Sequence, residues 1–148
     1  MLITAHTIAG GTIGRMVEAP SPAFLLALIS HFILDLIPHY DTTDNQKLTA
    51  RQVGLVIADF ALVIFLLIFW VRPRWEIGNP VLWGIAGANL PDLLDNLPAV
   101  GDAFRRTAFG RAFHRFHQGT HTGWRQPGPV LGLAIQYLLV FCLLLLFY

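Results

Sequence analysis

Two runs of apolar residues dominate the chain. Val53 to Val71 is apolar apart from Asp59, and Val130 to Tyr148 is apolar apart from Gln136. Each matches the roughly 20 residues needed to cross the hydrocarbon core of a bilayer. Three further segments, Leu2 to Val17, Ala23 to Ile37 and Val81 to Leu97, are shorter or more polar. Alone, each reads as a buried or re-entrant helix. With the two long runs they predict an all-α, polytopic membrane bundle of about five helices, a single domain over residues 1–148. The breaks agree: "EAPSP" separates the first two segments, Pro38 closes the second, and "RPRWEIGNP" precedes the fourth. Residues 99–128 form the longest polar stretch. Its apolar positions, Phe104, Ala108, Phe109, Phe113 and Phe116, predict a short amphipathic helix over Phe104 to His117, before the last span.

Composition supports a membrane setting. Hydrophobic residues make up 55% of the chain and charged ones 13%, against about 25% charged in an average soluble domain. The net charge of +1 gives no basic field of the kind that attracts nucleic acid, so no nucleic-acid partner is expected. The one cysteine, Cys142, lies in an apolar run and reads as a small packing residue. The N-terminal segment lacks a basic n-region and a small-residue cleavage site, so it reads as retained. If all five helices cross, Lys47, Arg51, Arg105, Arg106, Arg111, Arg115 and Arg125 share one side, and Arg15, Arg72 and Arg74 the other. The positive-inside rule then puts the first side, and the N-terminus, in the cytoplasm. A bacterial inner membrane is the expected location.

This topology sorts the ionisable residues. All six histidines and all seven aspartates fall on or near the inner face, and both glutamates on the outer. Helical spacing gathers them further. His31 and Asp35 are i and i+4; Asp92 and Asp95 are i and i+3, with Asn89 and Asn96 beside them; His114 and His117 are i and i+3. His6 shares a face with Gly10 and Gly14, whose missing side chains allow close approach of a neighbouring helix. His39 would continue the His31–Asp35 line if the helix survived Pro38.

Aspartate and neutral histidine are ligands for Zn²⁺, Mn²⁺ or Fe²⁺. Carboxylates at membrane depth need compensation, and divalent cations provide it. About ten candidates exceed the needs of one ion, so two or three divalent transition-metal ions are expected, zinc first. Such a site can polarise a phosphoryl oxygen and generate hydroxide near neutral pH. Each residue also has a plainer reading. His31–Asp35 could be a buried ion pair, Asp59 the partner of another helix, Asp92 a turn residue after Pro91, and His6 a satisfied core histidine. His114 and His117 could face lipid headgroups. His121, after Gly119, is the weakest candidate. Asp44 and Asp102 read as loop or cap residues. Arg105, Arg106, Arg111 and Arg115 could anchor to anionic lipid, or one or two could hold a substrate phosphate.

The motifs "AHTIAGGTIG", "SHFILDLIPHYD", "ADFALV", "LPDLLD" and "FHRFH", in this order over residues 5–117, resemble the bacterial membrane-bound metal-dependent hydrolase family. That family is distantly similar to the zinc-dependent phospholipase C and single-strand nuclease superfamily, all-helical enzymes that cleave phosphodiesters with three metals. The resemblance implies His6, His31, Asp35, Asp41, Asp92, Asp95 and His117 as ligands. It implies His39, Asp59 and His114 as ligands or as partners of ligands. Only His31–Asp35 matches the superfamily's His-x-x-x-Asp pair, and neither a second pair nor a catalytic N-terminal amine is evident.

The expected function is metal-dependent hydrolysis of a phosphoester in or near the membrane, with a phosphorylated or lipid substrate and membrane lipids as partners. Asp92 or Asp41 would take the water proton, and Arg111 or Arg115 would orient the phosphate. Two rivals remain: a metal carrier using the same ligands as a transit site, and a structural module whose polar residues tie helices together.

Overall fold

The computed structural model describes residues 1–40, 49–71, 76, 78–121 and 127–147. The described residues form helices and no strand: α1 (Ile3–Val17), α2 (Pro20–Asp35), α3 (Ala50–Leu66, continued by a π-helical segment, Leu67–Val71), α4 (Pro80–Asn96), α5 (Pro98–Arg105), α6 (Ala108–His121) and α7 (Pro129–Phe147). The chain is all-α, as its periodicity predicts.

The centre is α1, α2 and α4, and small residues make their packing possible. Gly10 meets the backbone of Gly84, Gly14 meets Pro80 and Val81, and Gly87 meets Phe24. A Cβ at any of these glycines would run into the carbonyl oxygen of the facing helix. The pairing of Gly10 with Gly84 and Gly14 with Pro80 makes α1 and α4 antiparallel. The core between them is built from Ala5, Ile8, Ala9, Ala23, Ala27, Val81, Ile85 and Ala88. Interfaces of small residues are characteristic of helices that associate by close backbone approach rather than by bulky apolar burial.

The segments α3 and α7 differ from this core. Ala50–Phe69 and Pro129–Leu146 are long and apolar enough to cross a membrane, whereas α1, α2 and α4 have 15, 16 and 17 residues. At about 1.5 Å per residue the shorter helices reach about 22–26 Å, less than the ~30 Å of a hydrocarbon core. Both long helices turn large apolar side chains outward, among them Ile57, Phe65, Leu138 and Leu146.

Two expectations need correction. The polar stretch before α7 forms two helices instead of one over Phe104 to His117. The step falls at Arg106–Thr107: Thr107 Oγ1 accepts the Gly110 N–H and starts α6, while Arg111 donates to the carbonyls of Arg105 and Arg106 and closes α5. Pro91 lies inside α4, so Asp92 projects from a continuous helix and is not a turn residue.

Candidate metal centre

At the end of the bundle where α1 begins and α2 and α4 finish, the histidines and aspartates converge. His6, His31 and His117 are fully enclosed, and Asp35 and Asp95 nearly so. His6 and His31 stack with ring centroids 4.1 Å apart. Among the described residues, three groups of ligand atoms lie close enough to hold an ion: His6–His31–Asp92, His31–Asp35–His117 and Asp35–His39–His121. His31 belongs to the first two and Asp35 to the last two, so the groups form a connected chain.

The hydrogen bonds around the rings fix what these groups present. His31 Nδ1 lies 2.7 Å from the Ala88 carbonyl, His39 Nδ1 2.7 Å from the Ile37 carbonyl, and His117 Nδ1 3.0 Å from Asp95 Oδ2. Each of these oxygens can only accept, so each Nδ1 donates, and in the neutral ring Nε2 is left with a lone pair. The Nε2 atoms point inward. Those of His31 and His117 are 3.0 Å apart, and Asp35 Oδ2 is 3.1 Å from the first and 3.6 Å from the second. Asp92 Oδ1 lies 3.6 Å from His117 Nε2. Acceptors thus face acceptors. Asp35 Oδ2 and both ring nitrogens of His6 are buried with no hydrogen-bond partner, although His6 Nε2 is 3.2 Å from Asp35 Oδ1. A buried polar atom without a partner costs about 1–3 kcal/mol, and a cation coordinated by these atoms removes that cost. The donor set of imidazole nitrogens and carboxylate oxygens fits zinc and its neighbours.

Titration of His39 and His117, both outside the apolar segments, is perturbed. Burial pushes His39 down to about 4, helped by the nearby N-terminal charge, which keeps the ring neutral as ligation requires. Burial also opposes charge on His117, but the carboxylates of Asp35, Asp92 and Asp95 outweigh it and raise its value. A metal at His117 therefore competes with a proton.

Not every expected ligand joins the three groups. Asp95 lies behind His117 and accepts from its Nδ1, from His114 Nδ1 at 2.8 Å and from Arg105. Asp95 and His114 thus belong to none of the three groups and orient the His117 ring, as carboxylates commonly do behind metal-bound histidine. Asp59 is spent elsewhere. Its carboxylate accepts from the backbone N–H groups of Ile3 at 2.8 Å and Thr4 at 3.3 Å, capping α1. Free N–H groups and the positive end of the helix dipole make a carboxylate favourable there. Arg115 is exposed on α6 and makes no ion pair with a described carboxylate, so the structure does not bring it to the cluster. Asp41 lies outside the described residues.

Two residues gain roles that their sequence context hid. His121 is one helical turn beyond His117, and its Nε2 lies 3.3 Å from Asp35 Oδ2. The signal was the His114, His117, His121 spacing, obscured by the expectation that the helix ends at His117. Gln136, alone and polar on α7, accepts the Leu2 N–H at 2.7 Å and donates to the Tyr40 carbonyl at 3.0 Å. The N-terminal amine lies 3.0 Å from Asp35 Oδ1. At the opposite end, Arg15, Glu18, Glu76 and Asn79 line a shallow pocket. No protein-family model matches this chain, and neither a curated protein nor a solved structure matches it.

Proposed function

We propose that this chain is a membrane-embedded, metal-dependent hydrolase acting on a phosphoester, most simply a phospholipid-like one. The His/Asp cluster would hold two or three divalent transition-metal ions, zinc first, with manganese or iron as alternatives. The observation that carries this reading is the meeting of lone pairs at His31 Nε2, His117 Nε2 and Asp35 Oδ2, with each ring's Nδ1–H committed outward. A packing network would place donors against acceptors there; a cation-binding site places acceptors together.

His6, His31 and Asp92 would hold one ion, and Asp35 would be shared by ions bound with His117 and with the His39–His121 pair. When bound, such ions supply Lewis acidity toward a phosphoryl oxygen and activate water. Asp92 is the candidate proton acceptor. It is the most exposed carboxylate of the cluster, at 7% against 2% for Asp35 and 1% for Asp95, and Asn96 fixes its Oδ1 at 2.8 Å. Asp95 and His114 would keep His117 turned inward.

The membrane setting is supported by the outward apolar faces of α3 and α7. A soluble protein would cover them, since contiguous exposed apolar surface of this extent marks contact with lipid or a partner. The distribution of basic residues favours a bacterial inner membrane with the N-terminus and cluster toward the cytoplasm. The resemblance of "SHFILDLIPHYD", "LPDLLD" and "FHRFH" to membrane-bound metal-dependent hydrolases supports the hydrolytic half.

The test is elemental analysis of detergent-purified protein by mass spectrometry, wild type beside His31→Ala/Asp35→Ala, a change that touches all three groups. Two or three metal equivalents in the wild type, lost from the double variant, support the reading and direct a screen of phosphodiesters and phospholipids. A folded wild type that carries no metal and takes none up makes the cluster a packing network.

A further inference from the structure

The three groups of ligands do not rest on equally fixed scaffolding. His6–His31–Asp92 comes from α1, α2 and α4, which are locked together backbone to backbone through Gly10, Gly84 and Gly87. The other two groups each need a histidine from α6: His117 for one, His121 for the other. No glycine contact ties α6 to that core. Its tight glycine, Gly110, packs against Phe104 of α5, and a Cβ at Gly119 would meet no atom within 4 Å. What holds α6 to the core is side chains: Phe113 and Phe116 against Phe32, His117 and His114 against Asp95, and His117 and His121 against Asp35.

The rest of α6 is segregated. At about 100° per residue, Phe109, Phe113 and Phe116 share one face, and Arg111 and Arg115 lie nearly opposite. The histidine edge, His114, His117 and His121, runs between them toward the cluster. Phe109 is 71% and Phe116 58% exposed, and Arg106, Arg111 and Arg115 are exposed as well. From Ala103 to Tyr148 the sequence contains no aspartate or glutamate. No carboxylate within α6 therefore competes for Arg111 and Arg115. An aromatic edge opposite a cationic edge, on a helix of low overall hydrophobicity, matches a helix lying in the plane of a bilayer interface. The phenylalanines and arginines lie on opposite edges of α6, which fits the apolar and headgroup layers of a bilayer interface, whereas a single strand needs aromatic and basic side chains on one face to stack and be neutralised together.

We infer that the outer faces of α5 and α6 bind anionic lipid headgroups, and that this contact steadies α6 with His117 and His121 in place and so favours the two ligand groups that need them. The second part rests on the metal reading above; the first does not. An anionic surface is worth about fivefold in binding for each basic side chain beside it. Arg111 and Arg115 together would then tighten the later metal ions by at most roughly thirtyfold, the limit being a helix mostly unseated without lipid, leaving the ion on His6, His31 and Asp92 little changed.

The experiment uses the full chain in nanodiscs of phosphatidylcholine alone or mixed with phosphatidylglycerol, wild type beside Arg111→Gln/Arg115→Gln. Hydrogen–deuterium exchange over residues 108–121, without added metal, reads the docking. Zn²⁺ titration reads its consequence. Expected are slower exchange and tighter later ions in the anionic discs for the wild type, both reduced in the variant. Equal exchange in the two lipids, or an equal response of wild type and variant, overturns the docking surface. Protection of α6 by a single-stranded oligonucleotide in neutral discs, without protection by anionic lipid, overturns it in favour of nucleic acid. Slower exchange with no zinc bound in any disc keeps the docking surface and sinks the metal reading instead.

Discussion

The glycine-packed core of α1, α2 and α4 and the two long helices α3 and α7 solve opposite problems. The core helices are short, rich in Gly and Ala, and bury His6, His31, Asp35, Asn89 and Asp92. The long helices are apolar, largely exposed, and have few buried positions: Asp59 on α3, Gly132 and Gln136 on α7. Both of those polar side chains are spent on the N-terminal end of α1, where Asp59 takes the N–H groups of Ile3 and Thr4, and Gln136 takes that of Leu2. Three of the unpaired donors near the start of that helix are met this way. The comparison teaches that one region carries much of the candidate metal centre and the other places it. A polar residue in an apolar helix is not automatically part of a site, because it can serve as the anchor for an element that is.

The largest test of that division is at Asp35, which two ligand groups share. Asp35→Ala should remove at least the ions bound with His117 and with His39–His121, read as metal equivalents by mass spectrometry. Asp59→Ala should leave metal content intact. If the two variants lose metal equally, the separation between chemistry and placement collapses.

Next in size is the backbone contact within the core. Gly84→Val would drive a side chain into the Gly10 carbonyl, and α1 and α4 would have to part. Overpacking of this kind costs about 1–3 kcal/mol or more, and thermal unfolding in detergent should show a clear fall in Tm. Gly54, on the long α3, has nothing within 4 Å of its would-be Cβ. Gly54→Ala should be neutral or stabilising by up to about 1 kcal/mol, the difference in helix propensity.

Asp95→Asn sharpens the boundary inside the site. The amide can still accept from one histidine but supplies no charge, so His117 loses its anchor and keeps its place. Metal affinity should fall by about 10–100-fold with the number of ions at saturation unchanged; a lost equivalent would make Asp95 a ligand after all. The stability cost of Asp59→Ala should be smaller, about 0.5–2 kcal/mol, as for a lost helix cap, seen in the same unfolding assay.

Much of this was legible along the chain. The two long apolar runs are helices with nearly the expected limits, because uninterrupted apolar sequence of that length has few other structures open to it. The spacing of His31 and Asp35 put them on one face, and both reach the cluster. Gly10 and Gly14 marked a close approach, and the approach exists. Other features were hidden. Asp92 and Asp95 looked alike, three residues apart beside the same asparagines. Only the position of α6 makes one face the cluster and gives the other to His114, His117 and Arg105. Arg115 shared a helix with His114 and His117, yet a step of one residue beyond His114 turns it outward.

The sequence by itself determined the all-helical class, the two segments able to cross a bilayer, and the pairing of His31 with Asp35 and of His114 with His117 along their helices. Those follow from local periodicity, and from the cost of leaving polar groups in an apolar run. Tertiary structure alone decided which nitrogen of each ring points inward, which carboxylates meet there, and which are used to hold a helix or a ring in place. The reason is that a lone pair takes its meaning from what lies across from it. For His31 that is Ala88 on one side and His117 on the other, 57 and 86 residues away along the chain.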